Sequence, residues 1–489
     1  MAIFISEVKF YNMRFLLIYP TTDTYPFYGG EKEFLYAPPL GLLYLSSVLT
    51  QLDCKAKVID IRGEENAMEK IERSIHSSDA IGITVPTFAL HNSKKLIEKI
   101  REMDGSIPII IGGPHPTLYP QKCLVDLAAD MAVEGEGERS IEDITKILEG
   151  KLKAENGKGI YFRGDGRIKC GRKTEIIKDI DSIPFPSHNL VSEYDYGYSY
   201  GFKLFKGKTT AILTSRGCPR KCRFCSRNTL SMKTYRVRSA ENVVKEIEML
   251  SHDGYKNVIV VDDNFTTSIK RVEKIMDAVV ERGIDLTFMV NGARVDSANE
   301  AVYKKMWRAG VRMISFGIES GSQKILDFYR KEITLEQIRK AVELSSRIGF
   351  FTVGTFILGA PAETPEDIKA TIEFARSLPL DMAEFFILHY MPGSELWEEA
   401  KAAGKIGDDE YIVESDASRG LALLGRKELL EWKKKAYNKF YFRPSYILRE
   451  IFRFISRFDI RILTAGFSML RILLYRLEKE ERVWEELGG

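Results

Sequence analysis

The sequence predicts an α/β protein in three parts: an open, Rossmann-like parallel sheet, a partial (β/α)6 barrel of TIM type, and a C-terminal helical tail. Three observations carry this. Short apolar runs alternate with helical stretches over residues 13–150. A second series of six apolar runs follows between residues 209 and 388. Beyond about residue 401 the pattern is helical and carries no strand signal. At 489 residues the chain exceeds one ordinary hydrophobic core.

MRFLLIYP (13–20) is the first buried strand, and residues 1–12 precede it. PPLGLLYLSSVLTQL (38–52) is an apolar-periodic helix opened by proline. KAKVIDI (55–61), AIGITVP (80–86) and PIIIGG (108–113) are further strands, with the helix SKKLIEKIREM (93–103) between the last two. GIYFRGDGRIKCG (159–171) reads as a hairpin around Gly164, Asp165 and Gly166. Two prolines in DIDSIPFPSHN (179–189) place the linker there. The expected domains are therefore 1–180, 181–400 and 401–489.

The second series comprises TTAILTS (209–215), NVIVVDD (257–263), DLTFMVN (285–291), VRMISFGIE (311–319), FFTVGTFILG (350–359) and MAEFFIL (382–388). Helices such as SAENVVKEIEMLSHDG (239–254) and TLEQIRKAVELSSRIG (334–349) separate them. In a parallel barrel the working residues sit at the C-terminal strand ends.

The composition, 44% hydrophobic and 29% charged, is that of a soluble globular chain, and a net charge of +3 gives no case for nucleic acid. MAIFISEVKFYN has no signal-peptide pattern, and no run reaches about 18 uninterrupted apolar residues. A cytoplasmic location is expected. Six cysteines in such a chain argue for metal or catalysis before disulfides.

Cys218, Cys222 and Cys225 fall within eight residues, directly after the first barrel strand, in SRGCPRKCRFC (215–225). Gly217 and Pro219 suit a tight loop. Three thiolates leave one iron of a [4Fe–4S] cube without a protein ligand, and catalysis requires an open metal position. Arg216, Arg220, Lys221 and Arg223 are placed to stabilise thiolates and a reduced cluster. A zinc knuckle is the alternative. It needs a fourth ligand, and His188 and His252 do not stand at knuckle spacing.

Cys-x3-Cys-x-aromatic-Cys behind a first barrel strand resembles the radical S-adenosylmethionine (SAM) superfamily. VVDDNFT (260–266), SFGIESGS (315–322), FILGAPAET (356–364) and MPGSELW (391–397) resemble further barrel segments of that family, in the same order. In the last of these, Ser394 and Trp397 stand where the family has Thr and Tyr. The resemblance implies that the free iron chelates the amino and carboxylate groups of SAM. One electron then cleaves SAM to methionine and a 5′-deoxyadenosyl radical. It also implies that Phe224 packs near the adenine, that Glu319 and Ser320 touch the ribose or methionine part, and that Gly359 lies beside the adenine. Arg294 is a further SAM-binding candidate, with a surface ion pair as its alternative. For each segment taken alone, strand-end packing is the plain alternative.

YAPPLGLLYLSSVL (36–49), IGITVPT (81–87), PIIIGGPHPT (108–117) and AVEGEGERSIEDI (132–144) resemble, in their order, cobalamin (B12)-binding domains attached to radical SAM barrels of the class B methyltransferase kind. An open α/β sheet binds ligands at its C-terminal strand edge. Thr84, Thr87, Gly112 and Gly113 are the candidate cobalamin contacts. The Asp-x-His-x-x-Gly motif that supplies a lower cobalt ligand in many cobalamin domains does not occur in this sequence. Cobalamin without a histidine ligand is therefore expected, with His115 as a loop residue. A degenerate domain that binds nothing, or another nucleotide-like cofactor, is the alternative. Cys54, Cys123 and Cys170 lie in unrelated contexts and read as ordinary cysteines.

Residues 436–476 hold eight Lys/Arg against two Asp/Glu, a net charge of +6, which leaves about −3 elsewhere. Arg449, Arg453, Arg457 and Arg461 recur every four residues, with Phe452, Ile455 and Ile462 among them. This predicts a basic amphipathic helix lying on an anionic membrane surface. A helix packed on the barrel with its arginines in water is the alternative. The resemblance extends to enzymes with similar tails that act on hopanoids, tetraether lipids and tetrapyrroles, and so points to a hydrophobic substrate.

The implied function is that of a cobalamin-dependent radical SAM enzyme, C-methylating an unactivated carbon. The methyl group is carried on cobalamin, and a donor such as flavodoxin or ferredoxin supplies electrons. The enzyme would be cytoplasmic or peripheral at the inner face of the membrane. A cyclase or carbon-skeleton enzyme with the same cofactors is a second reading. A non-catalytic cobalamin-binding or iron-sensing protein is a third.

Overall fold

Leu16, Leu17 and Ile18 are fully buried, as a strand covered on both faces requires. They belong to β1 (Arg14–Tyr19), which is followed by β2 (Lys55–Asp60), β3 (Ala80–Thr84), β4 (Ile109–Gly112), β5 (Met131–Val133), β6 (Ile160–Gly164) and β7 (Arg167–Cys170). The sheet order is β2-β1-β3-β4-β5-β6-β7. The pairs up to β5 are parallel, and those of β6 and β7 are antiparallel. The expected hairpin is present. Asp165 and Gly166 both have positive φ, 49° and 73°, as a tight two-residue turn needs. The hairpin extends the main sheet, which alternation alone did not indicate.

The computed structural model describes residues 12–22, 35–199, 202–203 and 205–457, giving the backbone for Phe202, Glu450 and residues 452–457. They form two compact units. The first runs to Tyr196 and takes back Leu230–Arg238; the second holds Gly197–Thr229 and the chain from Ser239. In the first unit the helices Leu40–Gln51 and Leu90–Met103 stand where expected. Ala67–Ile75 and Gly137–Leu148 are further helices, placed by short apolar stripes such as Ile71 and Ile75. The returning segment packs on β5's exit. Arg236 pairs with Glu136 at 2.8 Å and donates to the Ile177 carbonyl at 2.6 Å. The Met232 methyl fills the space beside Gly135.

In the second unit, β8 (Thr209–Ile212), β9 (Asn257–Val260), β10 (Thr287–Ala293), β11 (Val311–Glu319), β12 (Phe351–Leu358) and β13 (Met382–Ile387) coincide with the six expected strands. They pair in parallel in chain order and leave the sheet open. Local sequence fixes the helix ends. Leu335–Ile348 begins with a Thr334/Gln337 capping box and ends at Gly349 with φ 110°.

Strand alternation gives the barrel its two faces. Thr352 hydrogen-bonds Ser345 of the preceding helix, so residues 352, 354, 356 and 358 face outward, and all are buried. Thr355 and Ile357 face inward. They pair in register with Glu384 and Phe386, and all four remain partly exposed, Phe386 at 38%.

After the barrel, His389–Tyr390 and Val413–Glu414 form a short antiparallel ladder, the second strand lying beyond residue 401, where the sequence carried no strand signal. The helices Arg426–Tyr441 and Pro444–Arg457 follow. The last of these corrects the expected arginine face. Arg449 lies 5.3 Å from the Tyr446 ring and donates to the Leu380 carbonyl, so it is turned onto the barrel. The exposed side is apolar, with Ile447, Leu448 (66%) and Ile451. The side chains of Phe452, Arg453, Ile455 and Arg457, and the whole of Arg461 and Ile462, lie outside the described residues. Among the described residues, no helix is long and apolar enough to cross a membrane.

Candidate functional site

The cysteine loop leaves the C-terminal end of β8, and Asp262, beyond the end of β9, fixes its start. The buried Asp262 carboxylate accepts from Thr214 N (2.6 Å), Thr214 Oγ1 (2.6 Å) and Ser215 Oγ (2.5 Å). Burial raises its pKa, against these hydrogen bonds. Gly217, at φ 82°, makes the turn that the sequence suggested. Arg220 and Arg223 do not stand free as charges for a cluster. Arg220 pairs with Asp296 and Glu332, and Arg223 with Glu395 and Glu399, so they brace the loop.

Cys218, Cys222 and Cys225 are partly exposed free thiols. Burial pushes Cys225 up to about 11 and also raises Cys222, where Lys331 opposes it. Ligation must therefore displace protons. Among the described residues, no three His, Cys, Asp or Glu side chains are already gathered as a metal site. The donor chemistry, three thiols on one glycine-bearing loop, fits an iron–sulfur cluster. Cys54 and Cys123 are buried, and Cys170 lies exposed on β7.

The other strand ends converge on this loop. The Phe224 ring meets Tyr329 edge-on at 4.9 Å, and Arg223 N donates to the Tyr329 carbonyl. Glu319 ends β11 buried, at φ 68°, and accepts from Lys331 Nζ at 2.5 Å. Ser320 is fully buried and turned to Thr371 Oγ1 at 3.0 Å, where its hydroxyl holds the turn. Arg294 makes an ion pair, but a buried one: it binds Asp296 and the Lys331 carbonyl. Gly359 has φ 93°, and a Cβ there would meet Leu429 at 2.9 Å, so the fold itself already demands glycine. Among the described residues, Tyr329 Oη and Glu363 Oε1 are two of the buried polar atoms left without a partner. The other Glu363 oxygen accepts from Gly359 N and Ala360 N, and burial pushes this carboxyl up to about 7. Lys331, Asp262 and Glu363 were not singled out from sequence. Lys331 looks there like a surface charge ahead of a helix cap, and Asp262 and Glu363 lie unassigned inside the segments quoted above.

In the first unit, Thr84 and Gly112 pair across β3 and β4, and Thr87 and Gly113 follow them. At Gly113 a Cβ would lie 2.7 Å from Thr84 Oγ1, and φ is 99°. At Gly112 a Cβ would make only an ordinary van der Waals contact, with Val133 Cβ at 3.7 Å, so this strand end has room for one. His115 is buried, with Nδ1 3.4 Å from Thr87 Oγ1. Burial, with Lys122 as a smaller cause, lowers its pKa to about 4.

Comparison with known proteins matches both parts of the chain. Residues 212–375 match the radical SAM superfamily, and residues 34–145 match the B12 binding domain. An uncharacterized methyltransferase of Pyrococcus horikoshii is 31% identical over 90% of this chain and 95% of its own. The anaerobic magnesium-protoporphyrin IX monomethyl ester cyclase of Rubrivivax gelatinosus is 28% identical over 89% of this chain and 78% of its own. Among solved structures, the cobalamin-dependent SAM radical enzyme OxsB, with aqua-cobalamin and SAM bound, superposes with a TM-score of 0.69 at 18% identity, covering 98% of this chain and 81% of that one. The radical SAM methyltransferase TsrM of Kitasatospora setae, with cobalamin and a [4Fe-4S] cluster, gives 0.65 at 17% identity, covering 80% and 78%.

Proposed function

Because the chain belongs to the radical SAM enzymes that carry a B12-binding domain, we propose that it methylates an unactivated carbon of a hydrophobic small molecule. The observation that carries this is the three-cysteine loop at the mouth of an open barrel. The methyltransferase name of the 31% relative supports methyl transfer. When bound, the cluster supplies the electron that cleaves SAM, and cobalamin carries the methyl group.

The chain's own residues position these groups. Cys218, Cys222 and Cys225 hold the cluster. Phe224, Glu319, Ser320, Arg294 and Gly359 form the SAM wall at the strand ends, Ser320 by fixing the turn. Thr84, Thr87, Gly112 and Gly113 take cobalamin. The inward, partly exposed Ile357 and Phe386 give the substrate an apolar wall, with Thr355 and Glu384 below as polar contacts. The exposed Ile447, Leu448 and Ile451 support a reversible attachment to the membrane surface, where a hydrophobic substrate would be met.

The cyclase relative favours a second reading, ring closure with the same cofactors. Anaerobic enzyme with SAM, reductant and lipid or tetrapyrrole extracts separates the readings. Methylation yields 5′-deoxyadenosine and a product heavier by one CH₂. A product with its carbon count unchanged assigns the cyclase reading. No deoxyadenosine from reduced enzyme would overturn both.

A further inference from the structure

Lys331 is a buried lysine that no motif singled out, and the chain around it is arranged against the cysteine loop. Arg223 lies 4.5 Å over the Phe328 ring. The Tyr329 carbonyl and ring take Arg223 N and Phe224. Lys331 Nζ stands 5.9 Å over the Phe224 ring, between Cys222 and Cys225 in sequence. Its ammonium binds Glu319 directly above Gly317, where a Cβ would come within 2.6 Å of Glu319 Oε1 and 3.0 Å of Nζ. The backbone is strained to achieve this. Arg330 and Glu332, on either side of Lys331, have φ of 50° and 55°, and Glu319 has 68°. Non-glycine residues held in the left-handed region each cost about 1–3 kcal/mol and persist where the surroundings over-determine them. Three such residues meet at one ion pair.

We propose that Lys331, clamped on Glu319 over Gly317, is a charge-positioning residue that sets the reduction potential of the cluster held on the Cys218–Cys225 loop. A fixed cation beside a cluster favours its reduced, more negative state. Glu319, of the opposite charge, acts in the opposite sense. Arg294, bonded to the Lys331 carbonyl, holds the segment in place.

The inference rests on the cluster assignment, and iron and sulfide analysis of the wild-type protein tests that separately. The experiment is a potentiometric titration of the cluster, followed by electron paramagnetic resonance, on full-length anaerobically reconstituted protein without SAM. Lys331→Met should shift the potential to more negative values, Glu319→Gln should shift it to more positive values, and Lys331→Arg should stay near wild type. Opposite shifts from the two halves of one ion pair are not what a merely structural pair would give. If Lys331→Met takes up no iron, the positive shift in Glu319→Gln still has to appear. Unchanged potentials in cluster-loaded variants would overturn the proposal. So would a loss of SAM affinity in Lys331→Met, measured by equilibrium binding, with the potential unmoved.

Discussion

The Tyr441 hydroxyl makes two hydrogen bonds to the backbone of Ala383, accepting from its N–H at 3.1 Å and donating to its C=O at 3.0 Å. One helical turn earlier, Tyr437 does the same to Phe385, at 3.2 and 3.3 Å. Four helical residues rise about 6 Å and two strand residues about 6.6 Å, so the two ladders match. The outer edge of β13 is thus covered by side chains rather than by a further strand. Tyr441→Phe keeps the ring and strands both backbone groups. It should cost about 1–3 kcal/mol in urea unfolding, as should Tyr437→Phe.

Cys218→Ala, Cys222→Ala and Cys225→Ala should each abolish the four-iron, four-sulfide complement and SAM cleavage. The triple variant of Cys54, Cys123 and Cys170 should keep both. Loss of cluster in that triple variant would contradict the assignment.

The two strand-end glycines should respond differently. Gly112→Ala finds room for its Cβ and should leave the melting temperature unchanged while lowering cobalamin occupancy, measured by absorbance after gel filtration. Gly113→Ala meets Thr84 Oγ1 and an unfavourable φ, and should destabilise the protein itself. The bound cob(II)alamin should lack nitrogen coupling from a protein histidine, in wild type and in His115→Ala alike.

His115 and Glu363 should give opposing pH dependences. The His115 pKa is lowered from 6.5 to about 4, so its stabilising contribution is present above 6.5 and lost as pH falls toward 4. The Glu363 pKa is raised from 4.5 to about 7, so its contribution is present below 4.5 and lost as pH rises toward 7. Each amounts to about 3 kcal/mol at most. Melting curves from pH 4 to 8 should show His115→Asn losing less stability on acidification than wild type. Glu363→Gln should lose less between pH 4.5 and 7.

At the tail, Leu448→Ser with Ile451→Ser should reduce cosedimentation with anionic vesicles and leave SAM cleavage intact. Arg449→Gln removes a contact to the Leu380 carbonyl and should lower the melting temperature instead. Vesicle binding unchanged in the serine variant would remove the membrane attachment.

The strands were legible because their apolar runs, such as Val311–Glu319, are buried by the sheet itself, whatever lies nearby. The cysteine loop was legible because its spacing is local. Lys331 was not, because its burial depends on Glu319, twelve residues away across the short helix Gln323–Phe328. Arg449 misled for the same reason: a four-residue period fixes which side chains share a face, but not whether that face meets water or Leu380.

Tyr196 donates to the buried Asp60 carboxylate at 3.0 Å, and Tyr194 binds Glu64 and the Asp60 N–H. Asp60 also takes Arg62, whose guanidinium stacks 4.2 Å over Tyr19. Tyr194 and Tyr196, just beyond the expected linker, are therefore part of the first sheet's stopper at the β1 and β2 ends. A fragment cut at residue 180 would leave Asp60 without its phenol and the Gly135 edge without Met232 and Arg236. A self-standing first unit has to be made as a spliced chain, with residues 230–238 joined behind Tyr196.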